Sequence, residues 1–311
     1  MTIVLAGGSG FLGLALARRL SAAGHDLVVL TRAAAAPSAL LPRTRAVTWS
    51  PDGHAGAWRA ALDGADAVVN LAGESIAARR WSEAQKRRIL ESRLDATRSL
   101  AAAIRAAARP PAVLVSGSAV GYYGPRGDEV VTEEAAAGSD FLARVSVQWE
   151  AEAASAAGTR TRVACIRTGL VLGTEGGALP QMLLPFKLGA GGPIGSGRQY
   201  WPWIHQEDWV ALVEWTIGTP GASGAINATA PNPVTNRAFA RALGRALHRP
   251  AFMPAPAFAL RIALGEMADA LLLSGQRAVP AKAERLGFSF RHPHVDQALA
   301  SLFPLRRPRA Q

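Results

Sequence analysis

The chain contains 311 residues, 49% of them hydrophobic, which suffices for one large α/β domain or for a cofactor domain with a smaller lobe. The sequence contains no run of about 18 apolar residues, which is the length needed to cross a membrane. No basic segment with a cleavage site precedes the first strand. The single cysteine, Cys165, excludes an internal disulfide bond. We therefore expect a cytoplasmic protein without a membrane partner.

The formal net charge of +11 raises the question of nucleic-acid binding. Only three of the 34 basic residues are lysines, and most arginines are scattered through an alanine-rich chain. Clusters occur at residues 79–80 and 86–88, and in a tail over 306–311 that we expect to be loose. No RNP, zinc-finger or helix-turn-helix pattern accompanies them. The charge therefore favours anionic small ligands over nucleic acid.

The first apolar run, at residues 3–6, leads directly into Gly7-Gly8-Ser9-Gly10-Phe11-Leu12-Gly13. This order predicts a strand, a glycine turn and an amphipathic helix beginning at Phe11. Gly7 allows a tight turn, Gly10 lets a pyrophosphate approach the backbone, and Gly13 lets the helix pack closely on the sheet. Free N–H groups at the helix start favour a phosphate, so the turn predicts a dinucleotide site.

Strands and helices alternate through the first half, which predicts an α/β fold with a parallel, doubly wound Rossmann-type sheet and a smaller C-terminal substrate lobe. The next predicted strands are 26–30, 46–49, 65–71, 112–116, 161–167 and 224–228. The predicted helices include 82–108, 140–157, 207–217 and 236–247. We assign 1–170 to the NADP-binding domain, with 205–230 returning to it. We assign 171–305 mainly to the substrate lobe, including a helical domain over 249–298.

The residues at the end of the second strand indicate whether a protein of this kind binds NAD or NADP. An acidic residue there binds the ribose 2′-hydroxyl, whereas a basic residue accommodates a 2′-phosphate. The chain has Thr31-Arg32 at this point and no acid. Arg32 can bind a phosphate through two N–H groups and Thr31 can add a hydroxyl, which favours NADP(H). The alternative is that Arg32 is one of many solvated surface arginines.

The glycine turn, the strand end Asn70-Leu71-Ala72-Gly73, and Ser116-Gly117-Ser118 ahead of Tyr122-Tyr123-Gly124 resemble the extended short-chain dehydrogenase/reductase superfamily. More narrowly, the chain is similar to its atypical, epimerase-like branch, in the NAD-dependent epimerase/dehydratase superfamily, which carries a C-terminal domain of unknown function. The specific matches are Arg80-Trp81, Ser92-Arg93-x-x-x-Thr97, and segments 167–173, 195–199, 203–205 and 249–288.

The resemblance implies that NADP(H) contacts the glycine turn and the ends of several strands. The implied contact residues are Gly7, Gly10, Phe11, Leu12, Gly13, Thr31, Arg32, Leu71, Ala72, Gly73, Arg93 and Val171. Arg93 stands where extended reductases usually have the Asn of an Asn-x-x-Gly-Thr pattern, so we expect it to reach the cofactor phosphates. The alternative for Arg93 is a solvent-facing side chain on the long helix.

The catalytic pair of the superfamily is missing. These enzymes use a Tyr with a Lys four residues later, on one face of a helix, and the Lys lowers the pKa of the phenol. None of the three tyrosines has a lysine at that spacing, and Phe141 and Val145 occupy the expected positions. Ser118 remains at the position of the catalytic Ser/Thr, where a hydroxyl can polarise a carbonyl. Tyr122 is a candidate substitute acid, with structural packing as an equal alternative.

Other candidate site residues lie further along the chain. Arg198 and Gln199 follow a flexible glycine loop and are candidate contacts for an anionic substrate group. His205 is a candidate proton donor, although a structural or substrate-contact histidine is the favoured interpretation. The segment His292-Pro293-His294 is isolated in the sequence, so we expect no metal site.

Two functions are compatible with this pattern. The first is an NADP(H)-dependent oxidoreductase or epimerase-like enzyme that acts on a small polar substrate with an altered proton donor. The second is a non-catalytic NADP(H)-binding redox sensor that works through a protein partner. The missing Tyr–Lys pair favours the sensor, whereas the retained Ser118 favours the enzyme. Either could be a monomer or a homodimer.

Overall fold

A computed structural model describes residues 1–32 and 41–304 of the chain. The tail expected at 306–311 lies outside the described residues. Within the two described ranges, no helix combines the length and the apolarity needed to cross a bilayer.

The described residues form thirteen strands and ten α-helices. The strands are β1 (Thr2–Ala6), β2 (Asp26–Thr31), β3 (Thr44–Thr48), β4 (Ala67–Asn70), β5 (Val113–Ala119), β6 (Val130–Val131), β7 (Arg162–Thr168), β8 (Leu170–Leu172), β9 (Tyr200–Trp201), β10 (Trp203–His205), β11 (Gly224–Ala228), β12 (Val234–Thr235) and β13 (Arg277–Ala278). The helices are α1 (Phe11–Ala22), α2 (Glu83–Ala106), α3 (Phe141–Ala154), α4 (Leu179–Lys187), α5 (Gln206–Gly218), α6 (Asn236–Leu247), α7 (Ala257–Leu264), α8 (Glu266–Ala268), α9 (Ala281–Arg285) and α10 (Val295–Leu302). Val120–Tyr123 forms a turn of 3₁₀-helix directly after β5.

Seven strands pair into one parallel sheet in the order β11-β7-β5-β4-β1-β2-β3. The order reverses at β1 and β4, which is the switch point where open α/β sheets bind their ligands. Most residues of the central strands are buried, as expected of strands covered by helices on both faces. The predicted doubly wound Rossmann-type sheet is confirmed.

The observed element limits differ from the predicted ones where tertiary pairing extends a strand. β5 was expected to end at Ser116, but it continues through Ala119 because Gly117 and Ser118 pair with Ile166 and Arg167 of β7. Ser118 therefore lies in a strand at the carboxyl edge of the sheet. The long helix α2 begins after Ser82, whose side chain accepts a hydrogen bond from the Gln85 N–H, and this cap stabilises the first turn.

Two hydrophobic cores contain the alternating side chains of the central strands, and a third core holds the C-terminal lobe. Leu172, Trp203 and Phe239 belong to this third core. Ala283 and Phe288 instead pack in a core of the main sheet. This differs from the expected lobe, which included them, because the chain returns to the sheet after β13.

Segments from the second half lie against loops at the carboxyl edge of the sheet. The loop after β8 contacts the first residue of α1, since a Cβ added at Gly176 would lie 2.8 Å from the Phe11 ring. On the other side, Lys86 of α2 forms an ion pair with Glu266 of α8. The second half of the chain thus contacts the first half at both of these places.

Candidate nucleotide and active site

The glycine turn has the geometry that its sequence predicts. Gly7 has a φ of +81°, and a Cβ there would lie 2.6 Å from the Leu71 carbonyl carbon. A Cβ at Gly13 would overlap the backbone of Gly7 and Gly8, so the helix packs directly on the turn. A Cβ at Gly10 would have one neighbour within 4 Å, the Gly7 carbonyl oxygen, and would otherwise occupy open space. The backbone at Gly10 is thus open to a ligand.

The first turn of α1 is available to an anion. Gly10 is its N-cap residue, no side chain within residues 1–32 or 41–304 caps the helix, and no acidic residue occurs in the first turn. Unpartnered N–H groups and the helix dipole together favour negative charge at this end. The glycine turn and α1 thus fit the pyrophosphate of a dinucleotide.

The end of β4 is held by a buried hydrogen-bond network. The Asn70 amide donates to Thr97 Oγ1 over 2.9 Å, and its oxygen accepts from the Ala72 N–H over 3.2 Å. The indole of Trp149 donates to the same Thr97 oxygen over 2.9 Å. Because Leu71 also packs on Gly7, this network fixes the loop 71–73 beside the glycine turn.

Arg93 turns toward this loop rather than away from the protein. Its Nη1 donates to the carbonyl oxygens of Glu74 and Ile89 over 2.9 Å each, and its side chain lies against Gly73. The guanidinium lies 5.1 Å from the Trp149 ring centroid. Burial lowers the pKa of Arg93 to about 10, which still leaves the side chain cationic at neutral pH. The guanidinium therefore places positive charge at the edge of the crevice.

The remaining predicted cofactor contacts lie along the same edge of the sheet. Thr31 ends β2, and Arg32 follows it as an exposed residue without an ion pair to any described residue. Val171 is buried in β8, where it pairs with Ile204 of β10. The glycine turn contacts the loop after β4, and this loop in turn contacts Arg93.

Ser118 is part of a buried charged network that was not predicted. Its Oγ donates to Glu150 Oε1 over 2.6 Å. Glu150, on α3, accepts two hydrogen bonds of 2.8 Å from the Arg167 guanidinium. The Arg167 side chain is only 4% exposed and that of Glu150 is 15% exposed. Burial is the largest single influence and lowers the pKa of Arg167, but the hydrogen bonds and charge interactions with Glu150 and Tyr123 together outweigh it and raise the pKa, so this cation is permanent.

Both tyrosines of the 3₁₀ turn contact the Arg167 guanidinium. It lies 3.4 Å from the Tyr122 ring centroid, which is a cation–π contact, and it donates to the Tyr123 hydroxyl over 2.9 Å. The Tyr123 hydroxyl donates to Asn227 Oδ1 over 2.7 Å, and burial raises the pKa of Tyr123 to about 12. Tyr123 is therefore a structural group, whereas the Tyr122 hydroxyl has no hydrogen bond to a described residue.

The expected Tyr–Lys positions hold packing residues. Phe141 contacts Trp81 edge to face, with ring centroids 5.1 Å apart, and Val145 is buried. A lysine does approach this position from another helix, because Lys86 Nζ lies 5.5 Å from the Phe141 ring centroid. It is paired with Glu83 and Glu266, and its pKa is raised chiefly by its hydrogen bond to Glu266.

Gln199, a predicted substrate contact, makes two hydrogen bonds within the lobe. Its amide nitrogen donates to the carbonyl oxygens of Ile194 and Leu272 over 3.1 and 2.7 Å. Its Oε1 is buried and has no partner among the described residues. The side chain thus joins two loops of the lobe. Arg198 is exposed, with its backbone N–H bonded to Ser196 Oγ.

His205 lies among structural contacts, which argues against the proton-donor hypothesis. Its Nδ1 accepts from the Glu207 N–H over 3.1 Å and thereby caps α5. Its Nε2 lies 3.3 Å from Ser301 Oγ, and its ring stacks on His292 at a centroid distance of 3.9 Å. Burial, and then the neighbouring His292, lower the pKa of His205 to about 4. Both ring nitrogens are occupied and the ring is neutral at pH 7.

The expectation that His292 is isolated is wrong in space, because ligand atoms of His205, Glu207 and His292 all lie within 4.8 Å of one another. A histidine that binds a metal through one ring nitrogen normally donates the N–H of its other ring nitrogen to an acceptor. In His205 this other nitrogen, Nδ1, instead accepts a hydrogen bond from the Glu207 N–H. Asp208 accepts the N–H groups of Arg291 and His292 over 2.8 and 2.9 Å. The cluster therefore fastens the C-terminal segment to α5 and is poorly suited to a metal.

Comparison with known proteins agrees with this geometry. Residues 3–228 match the NAD dependent epimerase/dehydratase family, and residues 255–302 match a domain of unknown function, DUF1731. The chain is 40% identical over 303 residues to the mouse epimerase family protein SDR39U1, covering 96% of this chain and 98% of the relative. A chloroplastic SDR39U1 homolog of Arabidopsis thaliana is 41% identical over 305 residues, covering 97% of this chain and 86% of the relative.

A crystal structure of human SDR39U1 (isoform 2) with NADPH superposes with a TM-score of 0.88 at 37% identity, covering 97% of this chain and 99% of the human chain. The chain belongs to the NAD-dependent epimerase/dehydratase family.

The importance of the buried ion pair can be tested on one helix. We expect Glu150→Gln to lower the free energy of unfolding by about 3 kcal/mol or more, because Arg167 would remain buried without a counterion. Glu152→Gln is the control, since Glu152 pairs with Arg98 in an exposed position and should cost less than about 1 kcal/mol. Urea denaturation measures both. Equal losses would show that the burial of Arg167 is not decisive.

The free energy of unfolding should depend on pH because of His205. The folded state holds His205 with a pKa of about 4, below the ordinary 6.5, so unfolding takes up a proton. Its stabilising effect is present above pH 6.5 and is lost as the pH falls toward 4, by on the order of 3 kcal/mol. His205→Asn keeps a capping oxygen without titrating, so its unfolding free energy should fall less over this range. Parallel curves for the two proteins would refute this assignment.

Proposed function

We propose that the protein is an NADP(H)-dependent oxidoreductase or epimerase-like enzyme that acts on a small polar substrate. The observation that carries this proposal is the Ser118–Glu150–Arg167 network at the carboxyl end of β5, on the crevice edge that also holds the glycine turn. The NADPH in the human structure supports the choice of coenzyme. A lone hydroxyl would be a weak catalyst, but this one has a carboxylate acceptor.

A bound nicotinamide coenzyme would accept or supply the hydride. The glycine turn and the start of α1 would hold its diphosphate, while Arg32 and Thr31 would contact the 2′-phosphate. Arg93 would add positive charge near the diphosphate, from the loop side of the crevice. These assignments rest on the open backbone at Gly10, the uncapped helix and the absence of an acid after β2.

The Ser118 hydroxyl can relay a proton. During alcohol oxidation the substrate O–H bond breaks and its proton bonds to Ser118 Oγ, whose original proton passes to Glu150 along the 2.6 Å hydrogen bond. Carbonyl reduction reverses these transfers and starts from a Glu150 that has first taken up a proton from solvent water. The Arg167 guanidinium holds the Glu150 side chain in place. Tyr122, whose hydroxyl has no hydrogen bond to any residue that the structure describes, is the alternative donor.

The second candidate function is an NADP(H)-binding redox sensor without turnover. It is favoured by Phe141 and Val145, which cannot exchange a proton at the usual catalytic positions. For the compartment we retain the cytoplasm, supported by the single free and buried Cys165. The Arabidopsis relative is described as chloroplastic, so an organelle is the competing location. We propose either a monomer or a homodimer, with no nucleic-acid partner.

The coenzyme preference can be tested at Arg32. We expect Arg32→Ala to weaken NADPH binding about tenfold or more, with less than about twofold change for NADH, because only NADPH carries the 2′-phosphate. Arg45→Ala on the neighbouring strand is the control, since Arg45 is also exposed. Fluorescence titration measures both coenzymes. Equal losses for NADPH and NADH at Arg32 would remove the phosphate contact from the proposal.

Turnover separates the two functions. Protein loaded with NADPH is mixed with a panel of aldehydes, ketones and sugar nucleotides, and the loss of NADPH fluorescence is followed. Ser118→Ala should lower kcat about 100-fold while leaving the affinity for NADPH within about twofold. Ser116→Ala is the control, because Ser116 is buried on the same strand and bonds only to a carbonyl oxygen.

Two other outcomes would point to a different proton donor or to a different function. A loss confined to Tyr122→Phe would make Tyr122 the proton donor. Tight NADPH binding with no turnover across the panel would favour the sensor.

A further inference from the structure

The helix α7 is apolar but unburied. Seven of its eight residues, AFALRIAL, are apolar, and none is buried. Phe258 and Ile262, one turn apart on one face, are 67% and 72% exposed. Large apolar side chains exposed in this way on one helix mark an interaction surface rather than a solvated one.

A second exposed apolar group adjoins α7. Leu184 and Leu188 lie one turn apart at the end of α4 and are 62% and 74% exposed. The chain just after them pairs with the segment that leads into α7, because the Met253 N–H donates to the Gly191 carbonyl oxygen and Gly195 to that of Ala255. We call the exposed apolar side chains of these two hydrogen-bonded segments the α7 surface; its members are Leu184, Leu188, Phe252, Met253, Phe258 and Ile262.

Basic residues flank the α7 surface at both ends. At the end of α7, the Arg80 guanidinium lies against Gly265. Arg80 belongs to an exposed basic cluster that the proposed enzymatic function leaves unexplained. The cluster comprises Arg79, Arg80, Arg87 and Arg88, and none of them pairs with a described carboxylate. At the other end, Phe252 lines an open surface groove with Arg241, Arg245 and Arg249, of which Arg245 pairs with Asp296.

We propose that the α7 surface binds the surface of an anionic lipid bilayer. The apolar side chains would enter the boundary between headgroups and acyl chains, and the flanking arginines would contact lipid phosphates. A second copy of the chain fits less well, because its basic flanks would repel those of the first. Nucleic acid would leave the apolar side chains exposed. The sequence expectation of no membrane partner rested on the lack of a spanning segment, which this mode does not need.

Vesicle co-sedimentation of the whole chain tests the proposal. We expect binding to phosphatidylcholine vesicles that contain about one third phosphatidylglycerol, little binding to pure phosphatidylcholine, and weakening with added salt. Phe258→Glu with Ile262→Glu should lower the vesicle affinity at least about tenfold. Arg79→Glu with Arg80→Glu should lower it by about tenfold as well.

Matched variants separate this surface from overall charge and hydrophobicity. Val147→Glu changes an exposed valine on α3, and Arg45→Glu with Arg160→Glu changes the net charge by the same amount as the Arg79/Arg80 pair. Both should stay within about twofold of the parent protein. Equal losses in the controls, or no binding to the anionic vesicles, would overturn the proposal.

Two further measurements test the competing occupants. If light scattering finds a dimer that Phe258→Glu with Ile262→Glu converts to a monomer, the surface is a self-interface and the proposal fails. The second measurement is the binding of single-stranded DNA. If its affinity falls with the Arg79/Arg80 charge reversal but does not change with the α7 substitutions, the basic cluster belongs to a nucleic-acid site. The proposal then fails as well. NADPH affinity should not change in any variant, so this test is independent of the coenzyme site.

Discussion

The buried ion pair between Glu150 and Arg167 is the interaction on which the candidate active site depends. Arg167 lies near the carboxyl end of β7 and is buried, so an unpaired cation there would be strongly destabilising. Glu150 neutralises it from α3, and the same carboxylate accepts the Ser118 hydroxyl. The position of α3, the rotamer of Ser118 and the placement of the tyrosine turn are therefore not independent. Each follows from satisfying one buried charge.

The nucleotide side of the crevice depends on close backbone contact rather than on charge. Gly7 and Gly13 have no room for a side chain, because Leu71 and the turn itself occupy the space. This packing brings the loops after β1 and β4 together at the switch point of the sheet. Asn70 then ties the second loop to α2 through Thr97. Steric contacts and hydrogen bonds within the protein therefore hold the two loops in a fixed position on which a dinucleotide can lie.

The sequence predicted the sheet and the glycine turn because hydrophobic period and glycine spacing are local signals. Glu150 was missed because its partner lies 17 residues away on another element. A signal did exist, since Arg167 closes an apolar strand pattern and a buried arginine requires a carboxylate. The contacts of His205 and Gln199 could not be predicted from neighbouring residues in the sequence either. His205 meets His292 through the return of the C-terminal segment, and Gln199 bridges two loops.

The C-terminal segment is built into the site rather than appended to it. Glu133 accepts the N–H groups of Asn227 in β11 and of Lys282 in α9, and its own carbonyl oxygen lies 3.3 Å from Arg167 Nη1. Gln276 donates to the Val120 carbonyl oxygen, directly before the two tyrosines. The turn that presents Tyr122 is thus supported from beneath by residues of the segment that matches DUF1731. These hydrogen bonds join side chains to backbone groups, so they fix the C-terminal segment against the tyrosine turn at the carboxyl edge of the sheet.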